Sequence, residues 1–209
     1  MHTRTKGFTF IEMVITLGVI AVLSVILVPL VGSYLEQARI ARAQSDVRTI
    51  GDAILRFERD VGRFPMFSSG SGYLPDSSAN VVRLEGPGSS PTTTGSSDWL
   101  VNSGFTDSDC GGGCTFHTMG VLISNDIGYP TTSSLGKPFK WKGPYLEVKA
   151  DPWGRKYLVN IINAKSSSTG AVVVVSAGPD GVLQTFFNPL RTTTTLGGTT
   201  SDDLTYRIR

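Results

Sequence analysis

Glu12 is the residue whose chemistry is easiest to define from the sequence, because it lies immediately before a run without charged side chains, Met13 to Leu35. A carboxylate next to hydrocarbon is costly, and such residues usually have a partner or a role. The first interpretation is therefore that the charge of Glu12 is neutralised by a partner in an apolar environment. The alternative is a glutamate at the level of the lipid headgroups, paired with water or with its own N-terminus.

Cys110 and Cys114 enclose three glycines, which give the chain between them the freedom to close a small ring. In an exported domain, two nearby cysteines pair more often than they stay free, so we expect a disulfide. A metal site is a weaker interpretation, because His117 is the sole nearby imidazole. Free thiols are the alternative in a compartment without oxidising machinery.

The sequence offers little for catalysis. The only histidines are His2 and His117, and no P-loop, HExxH, GxSxG or repeated CxxC motif occurs. A Ser-His-Asp site would depend entirely on His117. Basic residues do not form a stripe interleaved with exposed aromatic ones, so nucleic acid is not an expected partner. We therefore expect a protein that is not an enzyme.

The uncharged run is long enough to cross a bilayer. As a helix with a rise of about 1.5 Å per residue, residues 13–35 span roughly 34 Å. A soluble core helix is rarely apolar around its whole circumference, so we expect membrane insertion. The chain has 19 basic and 17 acidic side chains, and Arg4 and Lys6 precede the run. Basic residues on this side favour a cytoplasmic N-terminus, with the remainder of the chain exported.

Beyond this run, apolar residues recur at alternating spacings of three and four among charged ones. The spacing predicts an amphipathic helix with one face on a core. These apolar residues are Ile40, Ala43, Val47, Ile50, Ile54, Phe57 and Val61. Gly62 and Pro65 should end the helix. Pro29 should kink or locally unwind the apolar part, and Gly32 and Gly51 should cost helix stability.

The remainder of the chain predicts loops and then strands. Residues 64–140 are rich in Ser, Gly, Thr and Pro, and we interpret them as a surface insertion. Short apolar pieces within it, at 81–84, 99–101 and 119–123, are expected to be small strands or pins onto the core. In the C-terminal region, 141–209, β-branched and aromatic runs predict strands at 156–162, 171–176, 182–187 and 204–208. The predicted fold is α+β, a long N-terminal helix packed on a small antiparallel β-sheet.

The segment Lys6-Gly7-Phe8-Thr9-Phe10-Ile11-Glu12, with the uncharged run after it, resembles the leader and N-terminal helix of type IV pilins and pseudopilins. The resemblance implies a cleaved leader at 1–7, a transmembrane and filament-core helix at 8–33, and an amphipathic helix at 34–63. It implies that a prepilin peptidase cuts between Gly7 and Phe8 and methylates the new amine. Glu12 would then neutralise the Phe8 amine of a neighbouring subunit. Pro29 matches the helix-breaking proline at which subunits extend in a filament.

Three motifs in the C-terminal half, GPYL at 143–146, DPWG at 151–154 and SAGPDG at 176–181, resemble in their order the major pseudopilin of type II secretion. That family holds a calcium ion in a C-terminal loop. The resemblance implies Asp180 as a ligand, and Asp202 with Asp203 as the later acidic pair. The alternative is a pair of solvated aspartates, because the segment 191–201 departs from the family's pattern.

The resemblance implies a structural pseudopilin subunit, which polymerises into the periplasmic pseudopilus of a type II secretion system and drives protein export. Its implied partners are copies of itself, the prepilin peptidase, minor pseudopilins and an inner-membrane assembly platform. The implied location is the bacterial inner membrane, crossed once, with the N-terminus cytoplasmic and the C-terminal domain periplasmic, before assembly into an envelope-spanning filament. One alternative is a type IV pilin that forms a surface fibre for adhesion, motility or DNA uptake. A second alternative is a membrane-tethered ligand-binding domain.

Overall fold

The computed structural model of the protein describes residues 7–67, 80–93, 99, 115–132, 139–147, 149–189, 191–192, 196 and 201–209. The chain divides into two compact units, Met1–Arg39 and Ile40–Arg209. The long helix α1, Phe10–Val61, contributes residues to both units.

The first unit contains the apolar part of α1. The large apolar side chains of this part of the helix are exposed, for example Phe10 at 84% and Val25 at 75%. Within the described part of the chain, α1 is the one helix whose length and composition suffice to cross a membrane. The helix continues without interruption through Pro29, so the predicted local unwinding is not observed in the single chain. A proline is tolerated in such a helix where the freed backbone groups find other partners.

From Ile40 onward, α1 is amphipathic as predicted. Six of the seven residues of the predicted stripe are buried, and Ile40 is half-buried. The helix ends at Val61 because Gly62 adopts a left-handed conformation with φ of 78°. The backbone N–H of Gly62 then donates to the carbonyl of Glu58 at 2.7 Å and closes the last turn.

A five-stranded sheet shares one hydrophobic core with the buried stripe of α1. Its strands, in spatial order, are β3 (Thr115–Thr118), β1 (Val81–Glu85), β4 (Leu158–Val159), β5 (Val173–Ser176) and β7 (Leu204–Arg207). A two-stranded sheet pairs β2 (Thr92–Thr93) with β6 (Val182–Leu183). The five-stranded sheet is antiparallel except for the parallel pair β1–β3 at one edge. The predicted α+β fold is thus confirmed.

The predicted strand at 156–162 is shorter than expected. It forms β4 for only two residues and then turns into a 3₁₀ helix, Ile161–Ala164. The cause is Asn160, which is fully buried and bonds to the backbone with both ends of its amide. Its Nδ2 donates to the carbonyls of Ala171 at 2.9 Å and Phe187 at 2.5 Å. Its Oδ1 accepts from the N–H of Val173 at 2.7 Å, so the side chain replaces part of the strand ladder.

The described parts of residues 64–140 are mixed: some side chains are buried in the core, whereas others, such as Gly88 and Ser89, are exposed, and the surface insertion stays a prediction. β1 is an interior strand of the sheet, and Val81, Val82 and Leu84 are fully buried. Trp99 is fully buried as well and acts as a pin. The apolar piece at 119–123 forms a short helix, α2 (Gly120–Ile123), rather than a strand.

The DPWG turn is connected to β5 through Asp151, its first residue, and to α1 through Tyr157, which follows the turn. Asp151 is buried; its Oδ1 accepts from the backbone N–H of Trp153 and Arg155, and its Oδ2 accepts from the Ser176 hydroxyl at 2.8 Å. Tyr157, three residues after the turn, donates its hydroxyl to Asp46 of α1 at 2.9 Å. The motif therefore has a structural role.

Candidate functional site

The first candidate site is the start of α1, where Glu12 folds back onto the residue three positions before it. The Oε2 of Glu12 accepts from the backbone N–H of Thr9 at 2.9 Å and from the Thr9 hydroxyl at 2.8 Å. The Thr9 hydroxyl in turn accepts from the Glu12 N–H at 3.4 Å. This reciprocal arrangement is a capping box, which satisfies donors that a helix start leaves without partners.

Thr9 is a functional residue that the sequence reasoning missed. The signal for it was present, because a threonine three residues before a glutamate at the beginning of an apolar run is typical of a capping box. In the single chain Glu12 thus accepts hydrogen bonds from Thr9, and its pairing with an N-terminal amine, of its own chain or of a neighbouring subunit, stays a prediction. Gly7 precedes the helix, and Phe8 is exposed at the predicted cleavage site.

The second candidate site is the carboxylate corner, which we define as Asp180, Asp202 and Asp203. The backbone N–H of Asp180 donates to Oδ2 of Asp202 at 3.1 Å. The structure thus brings the three residues together, although Asp180 and Asp203 are 23 positions apart along the chain. The approach requires a glycine, because a Cβ added to Gly178 would overlap the carbonyl oxygen of Asp202.

Asp202 and Asp203 each keep one buried carboxylate oxygen, Oδ1, that has no hydrogen-bond partner within the described residues. The other oxygen of Asp203, Oδ2, accepts from the backbone N–H of Gln184 at 2.9 Å and of Thr185 at 2.6 Å. Burial raises the pKa of Asp203, and the neighbouring charge of Asp202 adds to the rise, against the hydrogen bonds from Thr185 and Gln184, which lower it. Two adjacent carboxylates with unsatisfied oxygens form an environment that favours a cation.

Asp180 differs from the other two residues of the corner. It is exposed, and its two oxygens accept from the Val182 N–H at 2.7 Å and from the Gln184 side chain at 2.9 Å. On the opposite side of its turn, the guanidinium of Arg155 donates to the carbonyl of Gly178 at 2.6 Å. The glycine-rich turn is therefore fixed by an arginine that the sequence analysis did not identify.

The donor set of the corner fits a hard cation in part. Across the described ranges there is no group of three or more His, Cys, Asp or Glu side chains that could hold a metal. Asp202 and Asp203 would thus supply two carboxylates, and backbone carbonyls or water would have to complete the shell. Ca²⁺ accepts such mixed oxygen ligands. Cys110 and Cys114 lie outside the described residues, so their pairing stays a prediction.

One open groove of about 560 Å³ lies between α1 and the segment that follows GPYL. Its charged groups are already paired with one another: Arg42 lies 3.5 Å from Asp46, and Lys149 lies 3.2 Å from Glu147. Asp46 also accepts the hydroxyl of Tyr157. A binding site for a small ligand usually has a few polar groups placed to bind the ligand. Because the charged groups of this groove bond to one another instead, the groove gives no support to the ligand-binding alternative.

Comparison with known families agrees with the resemblance. Residues 2–28 match the family described as the prokaryotic N-terminal methylation motif, and residues 127–186 match the type II secretion system (T2SS), protein G. The second match includes the DPWG turn and Asp180, and it ends before Asp202. No curated protein and no solved structure gives a significant match. The two family matches are those of a type IV pilin-like pseudopilin and support a pseudopilin-like role for the chain.

Proposed function

We propose that the chain is a structural subunit that polymerises through its N-terminal helix into the periplasmic pseudopilus of a type II secretion system, which drives protein export. The observation that carries the proposal is the presence of both family matches in one chain, one on the helix and one on the sheet domain. The large apolar side chains of α1 from Phe10 to Leu35 are exposed in the single chain. Such a surface needs lipid or other helices around it.

In this proposal, the prepilin peptidase cleaves after Gly7 and methylates the new amine of Phe8. The amine adds a positive charge at the same end of the helix as Glu12. Two bonds from Thr9 use only Oε2 of that carboxylate, and Oε1 makes no hydrogen bond within the described residues. Glu12 can therefore keep its cap and receive the Phe8 amine of a neighbouring subunit, as opposite charges attract strongly in an apolar environment.

Two substitutions separate the charge of Glu12 from its role as a cap. Glu12→Gln keeps a side chain that can complete a capping box but removes the charge. Thr9→Ala removes the hydroxyl of the cap and keeps the charge. We expect Glu12→Gln to abolish filament formation and Thr9→Ala to reduce it slightly, measured by chemical cross-linking of neighbouring subunits in the envelope fraction and immunoblot. If Glu12→Gln assembles like wild type and Thr9→Ala does not, the charge-matching mechanism is wrong.

The processing and the type of filament are tested in the native host. The intact mass of the protein from its membrane should correspond to a chain that begins at Phe8 and carries one additional methyl group. A chain that still begins at Met1 beside an active prepilin peptidase would exclude a filament subunit. Deletion of the protein should remove exported enzymes from the medium. Loss of surface fibres with normal export would instead identify a type IV pilin. The minor pseudopilins and the inner-membrane assembly platform are the partners expected to co-purify.

We further propose that Asp202 and Asp203 of the carboxylate corner hold a calcium ion, with Asp180 fixing the turn beside them. The proposal is supported by their two buried, unpartnered oxygens and by the raised pKa of Asp203. When bound, the ion would supply a fixed positive charge to both carboxylates. Calorimetric titration of the full mature chain with Ca²⁺ should show one site, which Asp203→Asn removes. Asp52→Asn, on the exposed face of α1, is the matched control and should leave binding unchanged.

A further inference from the structure

Trp99 joins two distant parts of the chain. It is fully buried although the stretch before it, residues 92–98, consists mostly of Thr, Ser and Gly. Its indole Nε1 donates to the backbone carbonyl of Thr185 at 2.7 Å, and its ring lies edge-on to Phe187 with centroids 5.1 Å apart. A buried tryptophan normally finds an acceptor for this N–H. Here the acceptor lies 86 positions further along the chain.

Thr185 is also the residue that holds Asp203. Its backbone N–H donates to Oδ2 of Asp203 at 2.6 Å, while its carbonyl accepts from Trp99. One residue thus links the indole to the carboxylate corner through two hydrogen bonds in series. The two bonds lie on either side of the Cα of Thr185, so a displacement of this residue disturbs both of them.

The segment that carries Trp99 is attached to the same loop at a second point. β2 pairs in parallel with β6, and the N–H of Thr92 donates to the carbonyl of Gly181 at 2.9 Å. Gly181 and Thr185 flank β6, so β2 and Trp99 contact the loop on both sides of that strand. A change in the conformation of residues 181–185 therefore affects both attachments.

We infer that Trp99 is a positioning residue for the cation site: docking of its indole on Thr185 and cation binding at Asp202 and Asp203 are energetically linked. The inference rests on the cation site proposed above. With Trp99 docked, residue 185 is held where its N–H can orient Asp203, and one buried oxygen each of Asp202 and Asp203 has no hydrogen-bond partner within the described residues. A cation removes that cost and thereby stabilises the docked state of Trp99. Linkage is reciprocal, so undocking of Trp99 weakens cation binding by the same factor.

The first test compares two tryptophan substitutions in the full mature chain in non-ionic detergent. Trp99→Phe keeps a ring against Phe187 and removes the N–H. Trp141→Phe removes the same kind of bond, from the Trp141 indole to the carbonyl of Val121 at 3.1 Å, in α2. Loss of a direct outer partner of a metal ligand lowers affinity by about 10–100-fold; Trp99 acts on Asp203 through Thr185, so its effect should lie at the lower end of that range, about 10-fold. We expect a loss of this size in the calorimetric Ca²⁺ affinity of Trp99→Phe and none in Trp141→Phe. Equal affinity of Trp99→Phe and wild type overturns the inference.

The second test measures docking itself. Chymotrypsin can cleave after Trp99 only when the indole leaves its buried position, and the fragment that ends at residue 99 is identified by mass. We expect saturating Ca²⁺ to slow this cleavage in wild type and to have no effect on it in Asp203→Asn. Cleavage after Phe139, which is exposed, is the internal control. If Ca²⁺ binds but leaves cleavage after Trp99 unchanged, the linkage is wrong and the cation site stands. If calorimetry detects no Ca²⁺ binding, both fail.

Discussion

Gly51 shows how a contact between distant residues can reverse the expected effect of a substitution. It lies on the buried side of α1, where the ring of Tyr206 in β7 packs directly over it. A Cβ at this position would overlap Cδ1 and Cε1 of that ring and would lie 3.5 Å from Cγ1 of Ile208. The backbone of Tyr206 is held in place by the pairing of β7 with β5, where it lies opposite Val174.

The two opposing effects of Gly51→Ala can be estimated. Alanine is a better helix former than glycine by about 1 kcal/mol. Overpacking a filled site costs about 1–3 kcal/mol. We therefore expect Gly51→Ala to lower the free energy of unfolding by about 1 kcal/mol, within a range of about 0–2. The same substitution in a Tyr206→Ala background should raise it by about 1 kcal/mol, because only the helix preference remains.

Urea unfolding of the four proteins of this double-mutant cycle, followed by circular dichroism in detergent, measures the interaction directly. The coupling energy should be about 1–3 kcal/mol. Gly32→Ala is the control, since nothing lies within 4 Å of the added Cβ at that helical glycine. If Gly51→Ala stabilises the protein by the same amount in both backgrounds, Tyr206 does not pack on the helix and the reasoning is refuted.

Three further predictions concern buried polar groups. Asn160→Ala should lower the free energy of unfolding by about 2–3 kcal/mol, because it leaves a backbone N–H of β5 without its acceptor. Asn163→Ala should lower it less in the same urea titration, because the two carbonyls to which Asn163 donates also accept from Asn160. Burial alone would raise the pKa of Glu85, but its bonds to two basic side chains prevail and hold that pKa below its ordinary value of 4.5. Its stabilising contribution is therefore present above about pH 4.5 and is lost as the pH falls through the lowered value, so wild type should be more stable than Glu85→Gln at pH 7 and equal to it in strong acid. Tyr157→Phe should lower the free energy of unfolding by about 1 kcal/mol through loss of the hydroxyl bond to Asp46, and no loss would show that this bond contributes nothing.

The sequence predicted α1 well because the determinants of a helix are local. The alternating spacing of three and four placed Val47, Ile54 and Phe57 on one face, and all three are buried. Gly62 ended the helix through its own backbone conformation. The strands were harder, because a strand is defined by its partners. β1 contains a buried arginine and lies in a stretch of turn-forming residues, so its interior place in the sheet was not visible from composition.

The candidate sites divide in the same way, into those defined by neighbouring residues in the sequence and those defined by contacts between distant residues. Glu12 and Gly7 could be identified because their neighbours in the sequence define them. Thr9 could have been found in the same way. The carboxylate corner depends on the pairing of β5 with β7, which brings Asp202 to the turn of Asp180, and no local pattern encodes that pairing. Trp99 was named only as part of a short apolar piece, since its contact with Thr185 joins residues 86 positions apart.

The contact of Tyr206 with Gly51 also has a consequence for how the protein is made. Synthesis proceeds from the N-terminus, and β7 follows Gly51 by about 155 residues. At about 5–20 residues per second, the ribosome needs roughly 8–30 s to deliver the ring that covers this helical face. During that interval the part of α1 around Gly51 lacks the cover of Tyr206 and is accessible to chaperones and proteases. A premature stop before residue 204 gives a product that keeps the helix and most strands but never acquires this cover, which makes it a target for degradation.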